Sequence, residues 1–122
     1  PNLNYLNLVL GFNKDPDQAE SYLPTPWTTK GNKDHSKWLY VPGGNRTVAS
    51  FNGNDVYQSD RNAGLSWSAP YIAGLAALVY QVNKDIAPDD ISKLMLDTAT
   101  QMPFGKVVNP RALVSKARQM AD

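Results

Sequence analysis

The chain has 122 residues, no cysteine, a formal net charge of +1 at pH 7 and 42% hydrophobic residues, which is typical of one globular domain. The lack of cysteine excludes disulfides, thiolate metal sites and cysteine nucleophiles. Because the lysines and arginines are scattered and no apolar run is long enough to span a bilayer, we expect neither a nucleic-acid partner nor a membrane.

The first predicted element is a strand over Leu3–Phe12. Its centre, Leu8-Val9-Leu10, is a continuous apolar run of the kind found in parallel strands that are buried on both faces. The following stretch, Asn13–Thr29, contains several prolines and aspartates that interrupt regular structure. We predict a long surface loop there, with one turn of helix around Gln18–Ser21.

The only histidine of the chain stands in the polar segment Gly31–Ser36, as Asp34-His35-Ser36. These are the residue types of a hydrolase triad, but neighbouring side chains in a loop point apart, whereas a triad converges from separate parts of a fold. We therefore expect His35 to be a solvated loop residue.

A hairpin-like excursion is predicted in the middle of the chain. Trp38–Val41 is a short apolar strand that Pro42-Gly43-Gly44 ends, and Thr47–Phe51 is a second short strand. Asn52-Gly53-Asn54-Asp55 is a turn pattern, and Val56-Tyr57 continues beyond it as an edge.

The stretch Trp67–Val82 is the most apolar part of the chain and predicts its central helix. Small and apolar residues lie all round it, so it lacks an amphipathic stripe and we expect it to be buried on every face. Pro70 must then fall in its first turn. A side chain added at Gly74 would strike a neighbouring strand, at a cost of about 1 to 3 kcal/mol.

Ser66 stands directly before this helix and follows the turn former Gly64. A serine at a helix N-terminus has its hydroxyl near unpaired backbone N–H groups and the positive end of the helix dipole, which suits an oxyanion forming beside it. The same position also suits a plain N-cap serine. Position alone leaves both interpretations open.

Two amphipathic helices complete the prediction. Pro88, Asp89 and Asp90 begin one of them, in which Ile91, Leu94, Met95 and Thr98 recur at helical spacing. Pro110–Met120 forms the other, with Leu113, Val114 and Ala117 inward. Helices beside parallel strands make the predicted fold class α/β.

The motif Gly64-x-Ser66-x-x-x-Pro70-x-x-Ala73-Gly74 resembles the nucleophile motif of the subtilisin-like serine proteases (subtilases, peptidase family S8), Gly-Thr-Ser-Met-Ala-(Ser or Thr)-Pro. Four positions depart from the usual Thr, Met, Ala and His, namely Leu65, Trp67, Ser68 and Tyr71. The Ser-Trp-Ser version resembles a bacterial subgroup of the family. The two amphipathic helices also resemble those that follow the motif in subtilases.

The resemblance implies that residues 1–122 are a partial catalytic domain: the C-terminal portion of a subtilisin-like fold, with parallel strands, a buried central helix and two C-terminal helices. Ser66 would be the nucleophile of a serine endopeptidase that works through an acyl-enzyme, and its own N–H would bind the oxyanion. The order Asp, His, Ser is the established one in subtilisin. The histidine, aspartate and oxyanion asparagine are therefore expected before Leu3, and the chain alone is expected to be inactive.

The implied partners are a peptide or protein substrate and the N-terminal part of the same protein. Because missing strands would leave the edge at Leu8–Leu10 exposed, self-association is also expected. No cofactor is expected. Asp15 with Asp17, and Asn54 with Asp55, are compatible with a structural calcium ion, but they lack a specific calcium motif. Family resemblance alone favours a secreted or cell-surface location.

Two alternatives belong to other classes. The chain could be a non-catalytic subtilase-like module with a structural or binding role, in which Ser66 is an ordinary cap. It could also be an unrelated α/β domain that shares the motif by chance. Upstream Asp-x-Gly and His-Gly segments in the full-length product would favour the enzyme over the binding module.

Overall fold

The computed structural model describes residues 3–11, 13–25, 35–62 and 64–122. Residues 1–2, Phe12, residues 26–34 and Ala63 are therefore outside the description, and so are parts of the predicted first strand, long loop and Gly31–Ser36 segment. The described strands are β1 (Asn4–Leu10), β2 (Tyr22–Pro24), β3 (Trp38–Pro42), β4 (Arg46–Ala49), β5 (Tyr57–Asp60), β6 (Thr100–Met102) and β7 (Gly105–Val107). The described α-helices are α1 (Ser68–Val82), α2 (Pro88–Asp97) and α3 (Pro110–Ala121).

Among the described residues, five strands form one mixed sheet in the order β2-β1-β3-β7-β6, and β4 pairs with β5 as a separate hairpin. β3 is parallel to both β1 and β7, whereas β2 and β6 run antiparallel to their neighbours. The α/β class with parallel strands at its centre is thus confirmed, and so is the hairpin excursion between β3 and the central helix.

β2 pairs with β1 over Leu8–Leu10, the residues that were expected to form a free edge. Leu8 pairs with Pro42 of β3 on one side and with Pro24 of β2 on the other. The exposed edge predicted at Leu8–Leu10 is therefore wrong. The segment that covers it was predicted as loop, because its proline suggested interruption, but a proline is tolerated in an edge strand such as β2.

The core lies on both faces of β3, whose first four residues are buried. Leu39 and Val41 face the helices, whereas Tyr40 packs on the opposite face with Leu8, Tyr22 and Val107. Burial on both faces explains why β3 is a continuous apolar run rather than an alternating one. The helix side holds the larger cluster, which includes Ile72, Leu75, Val79, Ile86, Ile91, Leu94, Met95, Val108, Leu113 and Ala117.

α1 begins and ends close to its predicted limits, with Pro70 in its first turn, but only one of its faces is buried. On the other face Leu78 and Tyr80 are 45% and 37% exposed. A Cβ placed on Gly74 would meet no described atom within 4 Å. The expectation of burial on every face is therefore wrong for this chain, and so is the predicted clash at Gly74. An apolar helix needs another segment to bury its surface, but the composition of the helix does not identify that segment.

The two C-terminal helices agree with the sequence. α2 buries Ile91, Leu94 and Met95, and α3 buries Leu113 and Ala117. Both begin with a proline in the first turn, where its missing N–H costs nothing. The short hairpin of β6 and β7 between them was not predicted, since each strand has only three residues.

α1 is the longest described helix, with 15 residues. No helix in the described ranges has both the length and the apolar character needed to cross a membrane.

Candidate active site

Ser66 lies in the middle of a single 3-10 turn, Leu65–Trp67, that leads directly into α1. Gly64 before it is extended, with φ −149° and ψ 139°, and its carbonyl accepts a hydrogen bond of 3.0 Å from the Trp67 amide. The N-cap of α1 is Trp67, so Ser66 stands one residue before the cap position that an N-cap serine would occupy. Apolar periodicity does not distinguish a 3-10 turn from the start of an α-helix.

The Ser66 side chain is exposed, as the candidate assignment requires. Gly64 is the N-cap of the 3-10 turn and Trp67 that of α1, and neither makes a side-chain capping hydrogen bond with a described residue. Ser66 is therefore not the cap of either helix start. The first N–H groups of a helical turn have no acceptor within the turn, and they point towards its N-terminal end. An accessible hydroxyl and donor groups suited to an oxyanion therefore occur in the same turn.

A buried polar contact lies directly beneath this turn, and it was not predicted. Asn7 of β1 and Ser68, the first residue of α1, are 0% and 2% exposed. The Ser68 hydroxyl donates a hydrogen bond to Asn7 Oδ1. The sequence did contain a signal, because Asn7 interrupts an otherwise apolar strand centre, and a polar residue buried in a strand requires a partner.

On another side of the turn, Arg46 lies over the ring of Trp67, with 4.6 Å between its guanidinium carbon and the ring centroid. Its Nη2 donates to the Pro42 carbonyl oxygen at 3.1 Å. Burial lowers the pKa of Arg46 from its ordinary value, and Asp60 partly offsets this effect. The start of the β4–β5 hairpin is therefore held against the residue that follows Ser66.

A cavity of about 710 Å³ opens beside the first turns of α1, between Tyr71, Tyr22 and the loop around Asp17. The Tyr22 hydroxyl donates to the Pro16 carbonyl oxygen at 2.9 Å. Burial raises the pKa of Tyr22 above its ordinary value, and Asp17 and Asp15 raise it further. Burial also raises the pKa of Tyr71, with a smaller contribution from Tyr22. Both phenols are therefore stabilised in their neutral form.

His35 is exposed, as predicted, and its ring centroid lies 4.1 Å from that of Trp38. Asp34 of the same tripeptide is outside the described residues. Asp15 accepts a hydrogen bond of 2.9 Å from the Asp17 amide, which is the behaviour of a turn-forming aspartate. Within the described ranges, no group of three or more histidine or acidic residues is arranged to hold a metal ion.

Solved structures similar to this chain include the following two. One is described as proteases from Pseudoalteromonas arctica and is 26% identical to this chain, with a TM-score of 0.50. The matched region includes 65% of this chain and 29% of the other chain. The other comes from work on the assembly of the subtilase cytotoxin SubAB and has a TM-score of 0.71 at 14% identity. The matched region includes 98% of this chain and 37% of the other chain. The chain thus spans about a third of the length of these proteins.

No curated protein matches the sequence significantly. The model of the subtilase family, peptidase family S8, matches residues 12–116, which include the Ser66 turn, α1 and α2 and most of α3. With most of its length matched, and with the α/β fold described above, the chain belongs to the subtilase family of serine peptidases.

Proposed function

We propose that Ser66 is the nucleophile of a serine endopeptidase that hydrolyses peptide bonds through an acyl-enzyme. The observation that carries this proposal is an exposed serine in the turn that opens α1, with its hydroxyl not used as a helix cap, inside the family motif. The Ser66 oxygen would attack the scissile carbonyl carbon, and its proton would pass through a histidine to the leaving amine. The Ser66 N–H would be one donor to the oxyanion.

We further propose that residues 1–122 are the C-terminal part of a catalytic domain. The proton-accepting histidine, its aspartate and the oxyanion asparagine would come from sequence before Leu3. Two observations support this arrangement. The chain spans about a third of the two similar structures, and the outer face of α1 exposes Leu78 and Tyr80. Apolar side chains on a helix of this composition are suited to a covering segment.

The partners follow from the same arrangement. The substrate would be a peptide or protein, and the N-terminal part of the same protein would cover α1 and complete the site. Without that part, a serine hydroxyl that lacks a general base is a weak nucleophile near neutral pH. The isolated chain would then neither hydrolyse peptides nor react quickly with serine-directed probes.

A fluorophosphonate probe tests the assignment in the full-length protein. Labelling should occur at Ser66, should disappear in Ser66→Ala, and should remain in Ser115→Ala, which removes an exposed serine of α3. Peptide hydrolysis should be lost in parallel with labelling. If Ser66→Ala is labelled as fast as the parent, the nucleophile is elsewhere. If the full-length protein is not labelled at all, the non-catalytic module becomes the better interpretation.

A further inference from the structure

Asn7 is a fully buried amide in the middle of β1, on the face of the sheet that carries the helices. The neighbours that share its face, Leu3 and Tyr5, pack against the helix-side core, as the period of two in a strand requires. An asparagine is rarely buried in such a place without a specific polar partner.

That partner is Ser68, whose hydroxyl donates to Asn7 Oδ1. Ser68 is the first residue of α1, two positions after Ser66. The turn that follows β3 reaches the same amide, because a Cβ on Gly43 would lie 2.6 Å from Asn7 Cβ, which is an overlap. The Gly43 amide also donates to the Leu8 carbonyl oxygen at 2.9 Å. A strand, a turn and a helix start therefore meet at one side chain.

Stability does not account for this amide. Asn7 Nδ2 is buried and has no hydrogen-bond partner among the described residues. An unsatisfied buried donor costs about 1 to 3 kcal/mol, whereas replacing both partners by apolar groups of similar shape can be nearly neutral. We therefore expect an apolar residue at position 7 with alanine at position 68 to be nearly neutral for folding. What the polar contact adds is one defined position for the first residue of α1.

We propose that Asn7 is a positioning residue for Ser66. By holding Ser68 against β1, its amide fixes the 3-10 turn that presents the nucleophile. This inference rests on the proposed role of Ser66. Because a displacement of roughly 1 Å at a catalytic group can lower its rate by about 100-fold, a looser helix start would slow catalysis while the fold persists.

The experiment uses the full-length protein and the variants Asn7→Leu, Ser68→Ala and their double combination. We expect each variant to slow fluorophosphonate labelling at Ser66 and kcat by about tenfold or more, with little change in KM. The double variant should keep a Tm within about 4 °C of the parent, because it leaves no unpaired partner. Slow chemistry in a stable protein distinguishes positioning from a merely structural role.

Asn83→Leu is the matched control. Asn83 is also a buried asparagine, but it is the C-cap of α1, at the opposite end of the helix, where its Nδ2 donates to the Ala117 carbonyl oxygen at 3.2 Å. Losing that bond should lower Tm and leave the labelling rate of Ser66 unchanged.

The outcomes separate the two proposals. If the double variant is labelled at the parent rate, Asn7 does not position Ser66, although Ser66 remains the nucleophile. The proposed function fails if Ser66→Ala is labelled as fast as the parent, or if neither protein is labelled. Hydrogen exchange then tests directly whether Asn7 holds the turn that carries Ser66. Faster exchange at the Ser66–Ala69 amides in Asn7→Leu than in Asn83→Leu supports that role, and equal exchange in the two variants overturns it.

Discussion

Arg46 and Trp67 stack across the start of the β4–β5 hairpin, with 4.6 Å between the guanidinium carbon and the indole ring. The contact joins the first residue of β4 to the last residue of the turn that carries Ser66. Since the guanidinium also donates to the Pro42 carbonyl oxygen, Arg46 links the hairpin to the end of β3 as well. The hairpin should therefore lose stability when this one side chain is changed.

Arg46→Gln removes the cation–π contact with Trp67 and shortens the side chain that donates to the Pro42 carbonyl oxygen. We expect the free energy of unfolding to fall by about 1 to 2 kcal/mol, because a partly desolvated cation–π contact is worth about that much. Arg118→Gln, on the exposed surface of α3, is the control and should change the free energy by roughly 0.5 kcal/mol or less. Chemical denaturation measures both, and similar small effects would mean that the stacking contributes nothing.

Replacement of glycine by alanine should have opposite effects on stability at Gly43 and at Gly74. A Cβ on Gly43 would overlap Asn7, so Gly43→Ala should destabilise the protein by about 1 to 3 kcal/mol. A Cβ on Gly74 would meet no described atom within 4 Å, so Gly74→Ala should stabilise the isolated chain by about 0.5 to 1 kcal/mol through helix propensity. Thermal unfolding of the two variants checks this. A lower Tm for Gly74→Ala would show that its face of α1 is covered.

Buried Tyr22 and partly buried Tyr71 lead us to expect a loss of stability at alkaline pH. Burial raises the pKa of Tyr22 and of Tyr71, so each contributes stability that is fully present below the pKa of an unfolded tyrosine, about 10. That contribution is lost as pH rises through the folded-state value. Above about pH 10, the free energy of unfolding should fall less with rising pH in Tyr22→Phe and in Tyr71→Phe than in the parent. An unchanged pH profile in both variants would contradict the assignment.

The exposed face of α1 predicts how an N-terminal part would dock. Leu78→Asp places a charge on that face, where burial against a partner would be costly. When the N-terminal part is mixed with this chain, labelling of Ser66 should be restored in the parent and reduced about tenfold or more in Leu78→Asp, the effect of roughly 1.4 kcal/mol. Met120→Asp, at a 50% exposed position of α3, should behave like the parent. Equal restoration in all three would place the docking surface elsewhere.

Self-association of the isolated chain should depend on the same face, since β2 already pairs with β1 over Leu8–Leu10. Sedimentation should show dimers or larger species for the parent and a shift towards monomer for Leu78→Asp. A parent that stays monomeric at high concentration would reject self-association altogether.

Local chemistry in the sequence was enough for much of this architecture. Pro88 and Pro110 mark the first turns of α2 and α3, and the spacing of Ile91, Leu94 and Met95 identifies the buried face of α2. The Gly64-x-Ser66 motif, set before an apolar helix, also indicated the candidate nucleophile and the family to which the chain belongs. These signals depend on neighbours within a few residues, so they can be read along the chain.

Contacts between distant segments could not be read in this way. Only the tertiary structure shows that β2 covers β1, that α1 leaves one face exposed, and that Asn7 meets Ser68 across 61 positions of sequence. An apolar or polar side chain specifies that it needs a partner, but the partner is chosen by the way the whole chain packs. The sequence thus determined the helices and the candidate nucleophile, while tertiary packing decided which groups surround Ser66 and hold its turn in place.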